Sequence, residues 1–388
     1  MKTVKLILLS LAILACVENN YGQTESATFP EIKIWISKSQ YSNLQGKGQR
    51  VTLKNPVFLF NKDTAAVKEV HSRGNNSLTF EHKSLSVELD KAITLHGGEG
   101  KTKIKKFDLL NLVMDKNLWH NRWAFIAMSR NGLFPLFNTF CTLWINDQPQ
   151  GIYLLVEKPQ HYTASIKSPY MVRRGVDHQI HNEYIETESK EEIKKYKKQY
   201  TSLYSDIEKF KDKELYDQMK NKIFLEHYFE WLAFNYLIMN GDYADEVFLY
   251  IRPETGLFDV IPWDYDDILL PAPHEGIATR NAVQGLRNKL IFSSEEALDR
   301  SIAMNEFLYQ QYLGIFKKML LDLTPEVIEK ITNQVADELM RVSADATQAN
   351  ASLFLGKDAF RQDQAKESIR VALSFLTGRR NALLKQME

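Results

Sequence analysis

The chain has 388 residues, 44% hydrophobic and 11% aromatic, enough to bury a large core in one big domain or two lobes. Its 49 basic residues balance 49 acidic ones, which argues against a general nucleic-acid or anionic-membrane binder. With two cysteines, Cys16 and Cys141, a disulfide-built scaffold is excluded as well.

At the N-terminus Lys2 and Lys5 precede the apolar run LILLSLAILA (6–15), too short to span a bilayer but suited to the core of a signal peptide. Export is therefore expected, to the bacterial cell envelope or as a secreted or periplasmic protein. Two processing readings stand. Ile13-Leu14-Ala15-Cys16 resembles a lipobox, in which Cys16 would carry a lipid anchor, whereas cleavage near Gly22 would release residues 1–22 and leave a chain of 23–388. Either way Cys141 is the only free cysteine left, and no later stretch approaches twenty apolar residues.

From about 30 to 160, short β-rich runs (IKIWIS, VFLF, SLSVEL, TLWIN, GIYLLVE) alternate with turns, interrupted by one helical stretch at 117–130 that stops at Asn131-Gly132. Arg73-Gly74-Asn75-Asn76-Ser77 reads as a turn. Lys83 follows it, and a lysine there can hold phosphate oxygens or be an ordinary edge-strand lysine. His96-Gly97-Gly98-Glu99-Gly100-Lys101-Thr102 lacks the spacing of a phosphate loop and reads as a mobile loop.

The remainder, 161–388, reads as mainly helical. The Lys/Glu/Tyr-rich segment 189–222 fits solvated helices, and FLEHYFEWLAFNYLIM (224–239) is apolar nearly all round, hence a buried helix ending before Asn240-Gly241. Beyond Ser294 the pattern stays helical. His178 and His181 have no third metal ligand nearby and read as surface residues.

One stretch stands out: FDVIPWDYDDILLPAP (258–273) places Asp259, Asp264, Asp266 and Asp267 within nine residues of an apolar run. Bare carboxylates in such a setting repel one another and resist desolvation. The stretch belongs to a hairpin whose first strand is Phe248 to Ile251 and whose turn is Pro253-Glu254-Thr255-Gly256. Pairing about that turn sets position 245 roughly opposite 264 and 243 roughly opposite 266, so Asp242, Asp245 and Glu246 converge on Asp264 and Asp266. On a continuing strand the last two would also share a face. Five acids in one mouth fit a hard divalent cation, Mg²⁺, Mn²⁺ or Ca²⁺ rather than zinc; the bland reading is a solvated acidic loop.

In order along the chain, RGNNS (73–77) with Lys83, LLNLVMDKNLWHNRWAF (109–125), INDQPQGIYLLVEK (145–158), NGDYADEVFLY (240–250), VIPWDYD (260–266) and IFSSEEALD (291–299) together resemble the spore-coat protein H (CotH) kinase family. The resemblance implies an α+β, atypical protein-kinase-like fold with a β-rich N-lobe and a helical C-lobe, using ATP and Mg²⁺ or Mn²⁺ with a protein hydroxyl as acceptor. Carried over by position, Lys83 would contact the nucleotide phosphates, Arg73 would order the adjacent turn, and Glu157 would lie near the nucleotide cleft. Asp242 would be the catalytic base, and Asp264 or Asp266 would hold the metal. Glu246 stands where the family's metal-binding asparagine is expected, which adds charge to the site. The leading expectation is thus an exported protein kinase acting on a surface or extracellular protein. The alternative is a catalytically silent surface binding or adhesion module.

Overall fold

A computed structural model describes residues 29–97, 100–115, 118–175, 178–349 and 362–387; the leader with Cys16 and Gly22 lies outside them. An eight-stranded sheet is drawn entirely from the first part of the chain, in the order β3-β2-β1-β7-β8-β6-β5-β4. Its strands are β1 (Glu31–Trp35), β2 (Val57–Phe60), β3 (Asp63–Ala65), β4 (Val67–Arg73), β5 (Ser84–Gly97), β6 (Gly100–Leu110), β7 (Asn138–Ile145) and β8 (Gln148–Glu157). All neighbours pair antiparallel except β1 and β7, which run parallel with Ile32 opposite Leu143.

Alternation explains β1, where Ile32 and Ile34 face the core and Glu31, Lys33 and Trp35 do not. The near-continuous apolar runs of β7 and β8 are explained by burial on both faces. One face packs the cluster of Ile32, Val87, Phe107, Tyr153 and Leu155. The other is covered by helices α2 (His120–Ser129) and α10 (Pro325–Ala349), joined by Arg122, which donates to both oxygens of Glu338 at 2.8 and 3.0 Å. The expected mobile loop at 96–102 is instead mostly strand. His96 pairs with Lys101 and Gly97 with Gly100 at the hairpin tip, with 98–99 outside the described residues.

The second part carries more β-structure than its composition suggests. A four-stranded sheet in the order β10-β9-β11-β12 joins β9 (Tyr170–Arg174) and β10 (Ile180–Ile185) to the expected hairpin, β11 (Val247–Ile251) and β12 (Phe258–Pro262). The hairpin has the register set by its turn, with Ile251 opposite Phe258 and Val247 opposite Pro262. Gly256 supplies the positive φ of +70° that closes the turn. Helix α6 (Leu225–Ile238), apolar all round, is buried against β12 and helix α9 (Glu306–Asp322) and ends at Met239 in left-handed conformation. The next residues, Asn240-Gly241-Asp242, enter the site. The fold is a mixed α+β architecture of two sheets with eleven described helices.

Candidate active site

A cleft of about 680 Å³ is lined from both sheets and from the loops between α6 and β11 and after β12. Backbone hydrogen bonds zip those two loops together. Trp263 N donates to Glu246 O (2.9 Å), Gly241 N to Asp267 O (3.0 Å), Leu269 N to Ile238 O (2.8 Å) and Leu270 N to Met239 O (3.1 Å). The side chain of Asn240, fully buried, accepts from Asp242 N at 3.1 Å and so sets the start of the loop.

The expected strand alternation does not carry Asp264 and Asp266 into the site. Regular pairing ends at Pro262, and Asp264 adopts φ +52°, so the chain turns there. Helix α2 holds the turned backbone instead: Asn121 Oδ1 accepts from Tyr265 N at 2.8 Å, and His120 Nδ1 lies 3.0 Å from Asp266 O. Asp115, fully buried, caps that helix by accepting from His120 N and Asn121 N, and it too borders the cleft. Asp242, Asp245, Glu246, Asp264, Asp266 and Asp267 all line the same space.

Facing these acids are cations: Arg73, Arg173 and Lys158 line the cleft. Arg173 reaches Glu246 at 2.5 Å, Arg73 pairs with Asp108 at 3.2 Å and stacks over Trp263, and Lys158 lies 3.8 Å from Asp108. The turn after Arg73 forms part of the wall through Gly74, Asn75, Asn76 and Ser77. Gly74 sits at φ +92°, and a Cβ there would lie 1.9 Å from Ser77 Oγ, so this turn admits no larger residue as it stands.

Burial raises the carboxyl pKa values of Asp242, Glu246, Asp264 and Asp266. Asp266 is pushed up to about 9, by burial first and then by Asp264, Asp267 and Asp115. Burial and Asp264 hold Glu246 well above the ordinary carboxylate range against the pull of Arg173. Asp264 is raised by burial while Arg73 and Arg173 oppose. Asp242 is raised by burial, opposed by His274 and reinforced by Asp245, Asp264 and Asp267. Like charges crowded in poor solvent either take up protons or gather a cation. Their all-oxygen donor set fits Mg²⁺, Mn²⁺ or Ca²⁺.

Among the described residues, the group of donors that all approach within 4.8 Å is Asp242, Asp267 and His274, not the expected trio of Asp264, Asp266 and Glu246. Lys83 is not brought to the cleft. Its ammonium is buried and donates to the carbonyls of Leu78 (2.8 Å) and Phe80. Glu157 is likewise buried outside the lining, accepting from Phe137 N at 3.1 Å and paired with His161, while its neighbour Lys158 reaches the cleft. Arg73 lines the cleft directly, a larger part than ordering a turn. Asp259 sits at the far end of β12, satisfied by Arg252 (2.7 Å) and His227 (3.0 Å). His178 stacks on Tyr204, and His181 lines the cleft; among the described residues neither belongs to a group of metal ligands. The sequence assigns no role to Arg173, Lys158 or His274; Lys158 closes the run INDQPQGIYLLVEK and His274 follows the acidic run in PAPHEG, whereas Arg173 leaves no such signal.

The architecture and its site define a chain of mixed α+β fold with an acid-floored, cation-walled cleft. A family model described as CotH kinase protein matches residues 70–383, and the chain belongs to that family. It is similar to the inner spore coat protein H of Bacillus subtilis (strain 168), 23% identical over 215 residues, covering 51% of this chain and 58% of that protein. It thus spans little more than half the length of that relative. Among solved structures, the proinflammatory kinase CtkA of Helicobacter pylori matches with a TM-score of 0.36 at 12% identity, covering 76% of this chain and 94% of that one.

Proposed function

We propose that this protein is an exported, metal-dependent phosphotransferase of protein-kinase type that moves the γ-phosphate of ATP onto a protein hydroxyl. The observation that carries the reading is the convergence of Asp242, Asp264, Asp266 and Glu246 on one cleft opposite Arg73, Arg173 and Lys158. Phosphoryl transfer needs positioning and charge neutralisation more than covalent chemistry, and this arrangement supplies both. The family membership agrees with it.

In this reading a two-lobed kinase arrangement places the nucleotide between the sheets. Arg73, Arg173 and Lys158 neutralise its phosphate oxygens, the part that Lys83 was expected to play. Asp264 and Asp266, with Glu246, would hold a divalent cation, which when bound offsets charge on the phosphates. The acceptor oxygen attacks the γ-phosphorus, the bond to the β–γ bridging oxygen breaks, ADP leaves, and Asp242 takes the hydroxyl proton. Burial raises the pKa of Asp242, which makes it a stronger base than a solvated aspartate.

The pairing of Arg173 with Glu246 and the seclusion of Lys83 favour a second reading, a silent binding module. A transfer assay separates the two. Residues 23–388, γ-labelled ATP, Mg²⁺ or Mn²⁺ and a casein-like acceptor should give label that disappears in Asp242→Ala and Asp264→Ala. Absence of label together with absence of ATP binding by calorimetry would leave the binding module standing.

A further inference from the structure

We infer that His274 is a positioning residue that fixes the carboxylate of Asp242 from the wall of the cleft. The inference rests on the phosphotransfer reading above. Nδ1 of His274 lies 3.3 Å from Asp242 Oδ1, and Nε2 lies 3.1 Å from Asp267 Oδ2, so the ring engages both acids.

An imidazole this exposed, with 43% of its side-chain surface open, would ordinarily turn freely. Here both flanks are tied down. His274 N donates to Gly241 O at 3.1 Å, one residue before Asp242. Glu275 is anchored through Oε1, which accepts from Ser294 N (2.6 Å), Ser293 Oγ (3.0 Å) and Ser294 Oγ (3.1 Å). Gly241 permits the approach: a Cβ there would come within 2.6 Å of Leu270 Cδ1 and 3.2 Å of His274 Cδ2. Further along, buried Arg280 donates to the carbonyls of Lys289 and Ile291, both at 2.6 Å, and fastens the rest of the segment. The ring is thus presented to Asp242 by a fixed backbone.

The same three side chains could be taken for a metal site, since their donor atoms cluster. The contacts favour a donor role: each ring nitrogen lies at hydrogen-bond distance from a different carboxylate, so both nitrogens are engaged without an ion. A donor held at one oxygen of Asp242 leaves the other free for the acceptor hydroxyl. Fixing a base in this way acts on the turnover step and leaves nucleotide binding alone.

The test uses the transfer assay with His274→Ala, His274→Asn and His274→Gln, each checked for folding by circular dichroism. Asparagine places its amide near the position of Nδ1, toward Asp242, and glutamine near that of Nε2, toward Asp267. The expected result is a fall in kcat of about 10- to 100-fold for His274→Ala with KM for ATP within about 3-fold of wild type. His274→Asn should recover most of the loss, and His274→Gln should not. Unchanged kcat in His274→Ala, or a rise in kcat, would overturn the inference while leaving the kinase reading intact. Equal losses in the asparagine and glutamine variants would do the same, and that comparison stands even where the alanine variant fails to fold. Absence of transfer in the wild-type protein would instead overturn the kinase reading and this inference with it.

Discussion

Asp259 and Asp264 lie five residues apart in one short stretch and meet opposite fates. Asp259, 2% exposed, is held by Arg252 and His227 and accepts from Val260 N at 2.8 Å. Asp264 sits at a turn with φ +52°, crowded by Asp266 and Asp267, and its nearest positive groups belong to other strands. The difference teaches what separates a satisfied carboxylate from a candidate site carboxylate. The first has its countercharge built in beside it, and the second is crowded by like charges, which is the arrangement the proposed phosphotransfer site would use.

The sharpest way to break this comparison is to remove one acid from each side. Asp242→Ala and Asp264→Ala should lower kcat by about 10²–10⁴-fold in the transfer assay with little change in the melting curve. Asp259→Ala should do the reverse. It strands Arg252 and His227 and should cost about 3 kcal/mol in urea unfolding, while the folded fraction keeps its specific activity. If Asp259→Ala abolished transfer without loss of stability, the division between the two ends of β12 would be wrong.

The cations sharpen the comparison next. Arg73→Ala and Arg173→Ala should each raise KM for ATP by about 10-fold, roughly the loss of one charge-assisted contact to phosphate. Lys83→Met should leave KM for ATP within about 2-fold, because its ammonium serves two carbonyls instead of the cleft. An increase in KM for Lys83→Met as large as that of the arginine variants would restore the lysine to the phosphate site.

The comparison also predicts a dependence of stability on pH. Asp266 is raised from 3.8 to about 9 in the folded chain, so the folded state binds the extra proton. Its contribution is fully present below about pH 4 and is lost as pH rises toward 9. A divalent cation bound there replaces the proton, so Mg²⁺ or Mn²⁺ should raise the melting temperature more at pH 8.5 than at pH 6. At a hundredfold excess over Kd the gain is about 2.7 kcal/mol. Asp266→Asn should flatten both the pH slope and the metal effect, as followed by differential scanning fluorimetry.

The hairpin around Pro253 to Gly256 was legible because turn chemistry fixes register: position 245 opposite 264 follows from the same count that pairs Val247 with Pro262. The apolar helix before Asn240 was legible from a pattern without a polar face, and the family from motifs in fixed order. What those local rules could not reach was direction. Lys83 stands one residue before β5, outside the strand period, and the short helical turn Asn76–Thr79 captures its ammonium. Asp264 leaves the strand period one turn too early for alternation to place Asp266.

Sequence therefore determined the pairing of the hairpin, the helix that precedes the site and the gathering of acids at one end of β12, since each depends on residues close in the chain. The choice of partners was decided by tertiary structure alone. Arg173 comes from β9, Lys158 from the end of β8, and His274 from a segment pinned by Glu275 and Arg280. A charge placed 70 or more residues away, as Arg173 is from Glu246, leaves no local trace, because Coulomb attraction depends on distance in space and the chain reports only distance along itself.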